Sequence, residues 1–109
     1  MLRQDMPSLM RIVSTDQIET FCRKRPTARR HFDRWLQAVG GAAWRKWADV
    51  RQTYAKASKA GRCVVFDVQG GSFRIITRID YDFQVISVLH VLTHQQYDQG
   101  KWKNECECD

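Results

Sequence analysis

Apolar residues in the second half of the chain fall into three runs that predict β-strands. The runs cover residues 63–68, 73–79 and 84–92. They are rich in Val, Ile and Phe, and Gly70-Gly71 and residues 80–82 separate them, which is typical of a meander of strands. Because successive side chains on a strand point to opposite faces, Arg74 and Arg78 are predicted to lie on the same side of the sheet.

The first half of the chain shows helical spacing instead. A short apolar run at residues 9–13 predicts a first strand, after which Ser14 and Gln17 match the pattern of a helix capping box. Pro26 interrupts the helix predicted there, and a second helix begins beyond it and ends at Gly40-Gly41. The apolar residues with helical spacing in these two helices are Ile18, Phe21, Cys22, Ala28, Phe32, Trp35, Leu36 and Val39.

A third segment combines aromatic residues with positive charge. Its apolar residues at roughly helical spacing are Trp44, Trp47, Val50 and Tyr54. Such a stripe is more often part of a core than a platform for stacked bases, so we predict a buried role for it. Basic residues on its outer side, Arg51 and Lys56 among them, would add to any anion-binding surface made by the sheet.

Together these elements predict one α+β domain. The expected order is a strand, two helices, a short helical or looped segment and three strands (β-α-α-β-β-β), with the helices packed on one face of a mostly antiparallel sheet. A chain of 109 residues is long enough for a single core. We divide it into an N-terminal extension at residues 1–9, a domain at residues 10–102 and a C-terminal tail at residues 103–109.

Charge and hydropathy narrow the class of protein. The formal net charge of +6 at pH 7 favours either a polyanionic partner, with nucleic acid foremost, or solubility alone. No segment approaches the roughly 20 apolar residues of a membrane span, and the N-terminus lacks the apolar core of a signal peptide. We therefore expect a cytoplasmic protein with no membrane partner.

The four cysteines, at positions 22, 63, 106 and 108, form no CxxC pair and no regular framework. Reduced thiols are the default in a cytoplasmic protein, so we expect all four to be reduced. A metal at Cys106 and Cys108 is disfavoured, because no second ligand pair has a matching spacing. We therefore predict neither a metal site nor a cofactor.

Candidate chemistry follows from the basic and titratable residues of the last two strands. RNA can be cleaved without a metal when its 2′-hydroxyl attacks the adjacent phosphate, which requires cations, a base and an acid. Arg74 and Arg78 carry guanidinium groups that match pairs of phosphate oxygens. His94 titrates nearest to neutral pH, and Tyr97 could orient the phosphate or stack on a base. Lys101 would add charge.

The same residues also have structural explanations. The two arginines could form ion pairs with Asp80 or Asp82. His94 could cap the end of the last strand, and Tyr97 could anchor the tail. His90 alternates with apolar neighbours in that strand and is assigned a structural role. From the residues alone, the structural explanation is favoured.

Four motifs together resemble one known family. They are Met10-Arg-Ile-Val-Ser14, the segment from Trp44 to Tyr54, the hairpin from Val65 to Ile79, and Thr93-His-Gln-Gln-Tyr-Asp98. This combination is similar to the HigB family of type II toxins, within the RelE-like group of small bacterial ribonucleases, and it implies a small RelE-like fold. With this resemblance we assign catalytic roles to Arg74, His94 and Tyr97, and RNA-binding roles to Arg78, Lys101, Arg51 and Lys56.

The resemblance implies an mRNA interferase that cuts messages on the translating ribosome. It also implies a HigA-like antitoxin with a helix-turn-helix domain, and contact with operator DNA only through that antitoxin. The hairpin departs from the family at Asp67, where Asn is common, and at Ser72, where a basic residue is common. Both departures make the hairpin less favourable to phosphate.

Two other classes of function account for the positive charge. A non-enzymatic binding module would hold RNA or DNA by its phosphates and would not need His94. A protein-interaction domain would dock an acidic partner on its basic face. Product formation separates an enzyme from a binder, because a binder gives a salt-sensitive shift and no new RNA ends.

Overall fold

A mixed sheet of five strands with helices on one face forms the framework of the protein. The computed structural model of the chain describes residues 8–107. The strands are β1 (Arg11–Val13), β2 (Ser58–Ala60), β3 (Cys63–Val68), β4 (Phe73–Asp80) and β5 (Val85–Thr93). Their order across the sheet is β1-β5-β4-β3-β2, and only the β1–β5 pair is parallel. The predicted α+β class with a mostly antiparallel sheet is confirmed.

Four α-helices and two 3-10 turns complete the described part of the chain. The helices are α1 (Asp16–Lys24), α2 (Arg29–Gly40), α3 (Trp47–Thr53) and α4 (His94–Gln99). The 3-10 turns are Pro26–Ala28 and Lys101–Asn104. No helix within residues 8–107 is long and apolar enough to cross a membrane.

Each face of the sheet buries its own apolar cluster. The larger cluster lies on the helix side and contains the predicted stripe of α1 and α2, with Leu36 only partly buried. Trp44 and Val50 are buried there as predicted, and Trp44 stacks on Phe66 with ring centroids 5.9 Å apart. The smaller cluster on the outer face consists of Cys63, Val65, Ile76, Trp102 and Cys106.

Three local predictions were wrong or incomplete. The capping box at Ser14 and Gln17 does not form, because Ser14 has φ +64° and Thr15 occupies the N-cap position without a side-chain hydrogen bond. Strand β2 was missed because its exposed edge sequence, Ser-Lys-Ala, lacks an apolar pattern. Helix α4 was also missed, although Thr93 and Gln96 form a complete capping box at its start.

The expectation of four reduced cysteines was also wrong. Cys63 and Cys106 form a disulfide with their Cα atoms 5.2 Å apart, although 43 residues separate them in sequence. Their spacing gave no hint of the bond, because it depends on the C-terminal segment folding back across the sheet. Cys22 is free and buried, and burial raises the pKa of its thiol. Cys108 and residues 1–7 of the predicted extension lie outside the described residues.

Candidate functional site

Arg74 is held in a fixed position at the start of β4. It pairs in register with Asp67 on β3, and its Nε lies 3.0 Å from the Asp67 Oδ1. Its Nη1 donates a hydrogen bond to the backbone oxygen of Gly71. The Arg74 side chain is only 15% exposed. These contacts occupy part of its donor set and leave Nη2 available for a ligand.

Helix α4 brings Tyr97 to the guanidinium of Arg74. Its capping box uses Thr93 Oγ1, which accepts from the Gln96 amide at 3.2 Å, and Gln96 Oε1, which accepts from the Thr93 amide at 2.9 Å. The helix therefore starts directly at the end of β5. Three residues into it, the Tyr97 ring lies with its centroid 4.9 Å from the Arg74 Cζ, which is a cation–π contact.

Residues 100–107, here called the C-terminal clamp, fix Tyr97 in turn. Trp102 is buried and stacks on Tyr97 with centroids 5.0 Å apart and planes 12° from parallel. Its Nε1 donates to the Tyr97 carbonyl oxygen at 2.9 Å. Cys106 then joins the clamp to β3 through the disulfide with Cys63. Sequence reasoning missed Trp102, although its large apolar ring in a polar tail was a signal of packing.

Two ion pairs add to the attachment of the C-terminal clamp. His90 Nε2 lies 2.7 Å from Glu105 Oε1, which is a structural contact of the kind expected for this histidine. Arg62 Nε lies 3.2 Å from Glu107 Oε1, and both side chains are largely exposed. Exposed pairs of this kind contribute little, so the disulfide and Trp102 carry most of the attachment.

His94 opens α4 beside the same turn that holds Arg74. Its backbone amide donates to the Ser72 carbonyl at 3.0 Å, next to the Gly71 oxygen that Arg74 contacts. Its Nδ1 lies 3.1 Å from Asp98 Oδ2 one helical turn later, and both side chains are exposed. A ligand can therefore reach the imidazole of His94 from solvent.

The turn between β3 and β4 is open on its surface. Gly70 and Gly71 have φ values of +62° and +93°, which other residues rarely adopt. A Cβ on Gly71 would lie 3.6 Å from the Arg74 Nη1. Side chains at this turn would therefore strain the backbone, and the two glycines keep the approach to Arg74 open.

Lys56 and Tyr54 approach this turn from the segment after α3. They line a groove of about 260 Å³ together with Asp67, Gly70 and Gly71. Tyr54 is half-buried, and burial raises its pKa, so its hydroxyl stays neutral. Across Tyr54, a second groove of about 460 Å³ is lined by residues that include His31 and Arg34. The sequence predicted a core position for Tyr54 and RNA binding for Lys56, and the fold shows that both border the turn.

The remaining predicted site residues lie elsewhere. Arg78 shares the face of Arg74 but lies four residue positions further along the strand, which is about 13 Å. Lys101 is exposed and borders a groove of about 430 Å³ with Trp102. Arg51 lies on α3 with its Cζ 5.9 Å from the Trp47 ring centroid. The structure thus brings the Tyr97 ring to Arg74, places the backbone of His94 at the same turn with Lys56 nearby, and separates Arg78 from them.

No group of three or more His, Cys, Asp or Glu side chains within residues 8–107 is arranged to hold a metal ion. The positively charged side chains described at this turn are those of Arg74 and Lys56. The site is a shallow, mostly open surface rather than an enclosed pocket, since His94 and Lys56 are exposed.

Comparison with known families gives this surface a context. The family model for HigB toxin, described as the RelE-like toxic component of a toxin-antitoxin system, matches residues 28–100. That range is more than half of the 109 residues. The chain belongs to the HigB toxin family. A search of curated proteins finds no match to this chain.

The segment that matches the HigB family contains the proposed site residues but not all of the residues that hold them in place. The matched range contains Arg74, His94 and Tyr97, and it ends at Gly100. Trp102 and Cys106 lie beyond it. The C-terminal clamp is therefore an attachment to the site outside the matched HigB segment. As a toxin of a toxin-antitoxin system, the protein has an antitoxin as its expected partner.

Proposed function

We propose that this HigB-family toxin is an endoribonuclease that cleaves mRNA on the translating ribosome through attack of the RNA 2′-hydroxyl. The observation that carries the proposal is the contact of Tyr97 with Arg74 beside the Gly71–Ser72 turn, to which the His94 backbone is hydrogen-bonded, within the segment that matches the family. This reaction needs a cation for the developing negative charge and groups that transfer protons, and Arg74 and His94 are the candidates for these two tasks.

His94 and Arg74 each have a defined step in the proposed reaction, and Tyr97 contacts the Arg74 guanidinium. His94 Nε2 accepts the proton of the 2′-hydroxyl as its oxygen forms a bond to the adjacent phosphorus. The free Nη2 of Arg74 donates to a phosphate oxygen as negative charge develops there. The bond from phosphorus to the 5′ oxygen breaks, and this oxygen takes a proton from water. The products are a 2′,3′-cyclic phosphate and a 5′-hydroxyl end.

Asp67 adjusts the charge of Arg74 in this scheme. The carboxylate lies 3.0 Å from the Arg74 Nε and lowers the net positive charge that a phosphate meets. It also fixes the direction of the guanidinium, as a pre-oriented fork binds phosphate in one geometry. We infer that Asp67 favours precise placement of the phosphate over strong binding of RNA.

The openness of the site supports a role for the ribosome. Neither His94 nor Lys56 is shielded from solvent, so the protein alone holds an RNA strand on one side only. Rate enhancement by orientation requires that the reacting groups be fixed on both sides. We propose that the ribosome supplies the second side, that the reaction takes place in the cytoplasm without a metal, and that a HigA-like helix-turn-helix antitoxin neutralises the toxin and links it to operator DNA.

Mapping of RNA ends tests this proposal. The protein is induced in bacteria, and the 5′ ends of cellular RNA are compared with those from the Arg74→Ala/His94→Ala double variant. Arg30→Ala, at an exposed position on α2, serves as a matched control. New 5′-hydroxyl ends inside translated frames are expected for the wild type and the control only. Absence of new ends from folded wild-type protein would leave a non-enzymatic RNA-binding module as the function.

A further inference from the structure

The C-terminal clamp covers only one half of the outer sheet face. At the other end, beside the turn between β4 and β5, the face borders an open groove of about 1140 Å³. Its lining includes Leu9, Arg11, Arg45, Arg78, Asp80 and Phe83. This groove lies outside the site around Arg74, which occupies the opposite end of β4.

Two large apolar side chains are exposed in this groove. Phe83 is 79% exposed and Leu9 is 55% exposed, and they are the exposed large hydrophobic residues of the described part of the chain. Single apolar residues on a surface are common and need no explanation. Here both border a groove more than twice the volume of each of the three grooves described above, and such a coincidence is typical of an interaction site.

The turn that carries Phe83 is fixed. The Phe83 amide donates to Asp80 Oδ1 at 3.0 Å. The next residue, Gln84, is buried and donates from Nε2 to the Tyr81 carbonyl at 2.9 Å and to the Trp44 carbonyl. The exposure of Phe83 is therefore a property of a well-anchored turn. A partner would meet this ring already in place, which lowers the entropy lost on binding.

Three arginines surround the apolar residues. Arg11, Arg45 and Arg78 are exposed, and none of them forms an ion pair with another residue in the range 8–107. Arg11 and Asp80 are aligned across the sheet through Val85, their shared neighbour in register on β5. The groove thus places three arginines without an ion-pair partner among residues 8–107 beside two exposed apolar side chains.

The charge pattern distinguishes between two kinds of partner. RNA would gain from the arginines, but its phosphates would be repelled by Asp80 and Asp82, which also line the groove. A protein segment can place carboxylates on the arginines and an apolar side chain on Phe83, while its own donors meet the two aspartates. The mixed surface therefore favours protein.

We propose that this groove is the docking surface for the antitoxin, through a segment that carries carboxylates and at least one large apolar side chain. The inference rests on the proposed function to the extent that a toxin requires such a partner.

Calorimetric titration with the cognate antitoxin tests the proposal. Phe83→Ala is expected to weaken binding about tenfold, as for an anchor residue at an interface. Arg11→Glu/Arg45→Glu is expected to weaken it about a hundredfold and to reduce its salt dependence. Arg23→Glu/Arg30→Glu makes the same change in net charge at exposed positions on α1 and α2, and it should bind as the wild type does. Thermal melts establish that all variants are folded.

Several results would overturn the proposal. Unchanged affinity of the groove variants would do so, and so would an equal loss in the control, which would indicate a non-specific charge effect. Retained antitoxin binding with lost association to ribosomes would assign the groove to RNA instead. Because the titration contains no RNA, groove-dependent binding by a toxin that cleaves nothing would refute the proposed nuclease activity and leave the docking surface intact.

Discussion

The two halves of the outer sheet face differ in what is packed on them. Arg74 and Arg78 point from the same face of β4, yet Arg74 is 15% exposed and is held by Asp67, Gly71 and Tyr97. Arg78 is exposed and borders an open groove. The strand is the same, and the difference lies in Asp67, the Gly71 carbonyl and Tyr97, the last of which the C-terminal clamp holds in place. A fixed guanidinium suits catalysis, whereas a free one suits recognition of a partner.

This difference suggests that the clamp is part of the site rather than a terminal appendage. It connects Cys106 to β3, buries Trp102 and stacks that ring on Tyr97, which in turn contacts Arg74. Loss of any of these contacts should leave the Arg74 guanidinium more exposed and less fixed in position, as the Arg78 guanidinium is. The following changes break the links in order of decreasing expected effect.

Reduction of the disulfide should have the largest effect on stability. The bond closes a loop across 43 residues of sequence separation, and a loop of that size stabilises a protein by about 4 kcal/mol through restriction of the unfolded chain. Denaturant unfolding of the wild type with and without a thiol reductant measures this difference. The Cys63→Ser/Cys106→Ser variant is the control and should be insensitive to the reductant. Equal stability of oxidised and reduced wild type would show that the clamp contributes nothing.

Thr93→Ala removes the capping box that starts α4. The expected loss is about 1 kcal/mol of stability, because the hydrogen bond from the Gln96 amide to Thr93 Oγ1 is lost, while the backbone amide of residue 93 can still donate to Gln96 Oε1. Thr20→Ala, at an exposed position within α1, is a matched control. Denaturant midpoints of both variants check the prediction. Equal midpoints for Thr93→Ala and the control would show that α4 does not depend on its cap.

Tyr97→Leu removes the ring next to Arg74 and keeps an apolar side chain. A cation–π contact at a partly exposed position contributes about 0.7 kcal/mol, so cleavage should fall about threefold. Tyr97→Phe retains the ring and separates its packing role from any role of the hydroxyl. Single-turnover cleavage rates provide the measurement. A much larger loss for Tyr97→Phe would show that the hydroxyl itself takes part in the chemistry.

Local patterns predicted the alternation on β4 well, because β4 pairs with β3 without a break in register, and the register shift against β5 places the extra residue on β5. The positions of Arg74 and Arg78 on one face are therefore confirmed. The contacts that separate them were not predictable, since they depend on strand register and on the return of the C-terminal clamp. Asp67 meets Arg74 only in the observed register, and the Cys63–Cys106 bond depends on residues far apart in the chain.

Capping boxes illustrate the same limit. Ser14 with Gln17 and Thr93 with Gln96 have the same spacing, and only the second pair forms the two hydrogen bonds. At the first, Ser14 turns the chain with φ +64° after β1. At the second, Thr93 has the extended backbone of a strand end, which is the conformation that an N-cap requires. Tertiary context decides between identical patterns.

The most direct test of the account compares the two arginines of β4. Arg74→Ala and Arg78→Ala are assayed separately for single-turnover cleavage of a translated message in a purified translation system. The account predicts that Arg74→Ala slows cleavage about a hundredfold, as for loss of a group that stabilises developing charge, and that Arg78→Ala has a far smaller effect. Equal rates for the two variants, or a larger loss for Arg78→Ala, would contradict the assignment of the catalytic surface to the covered half of the sheet.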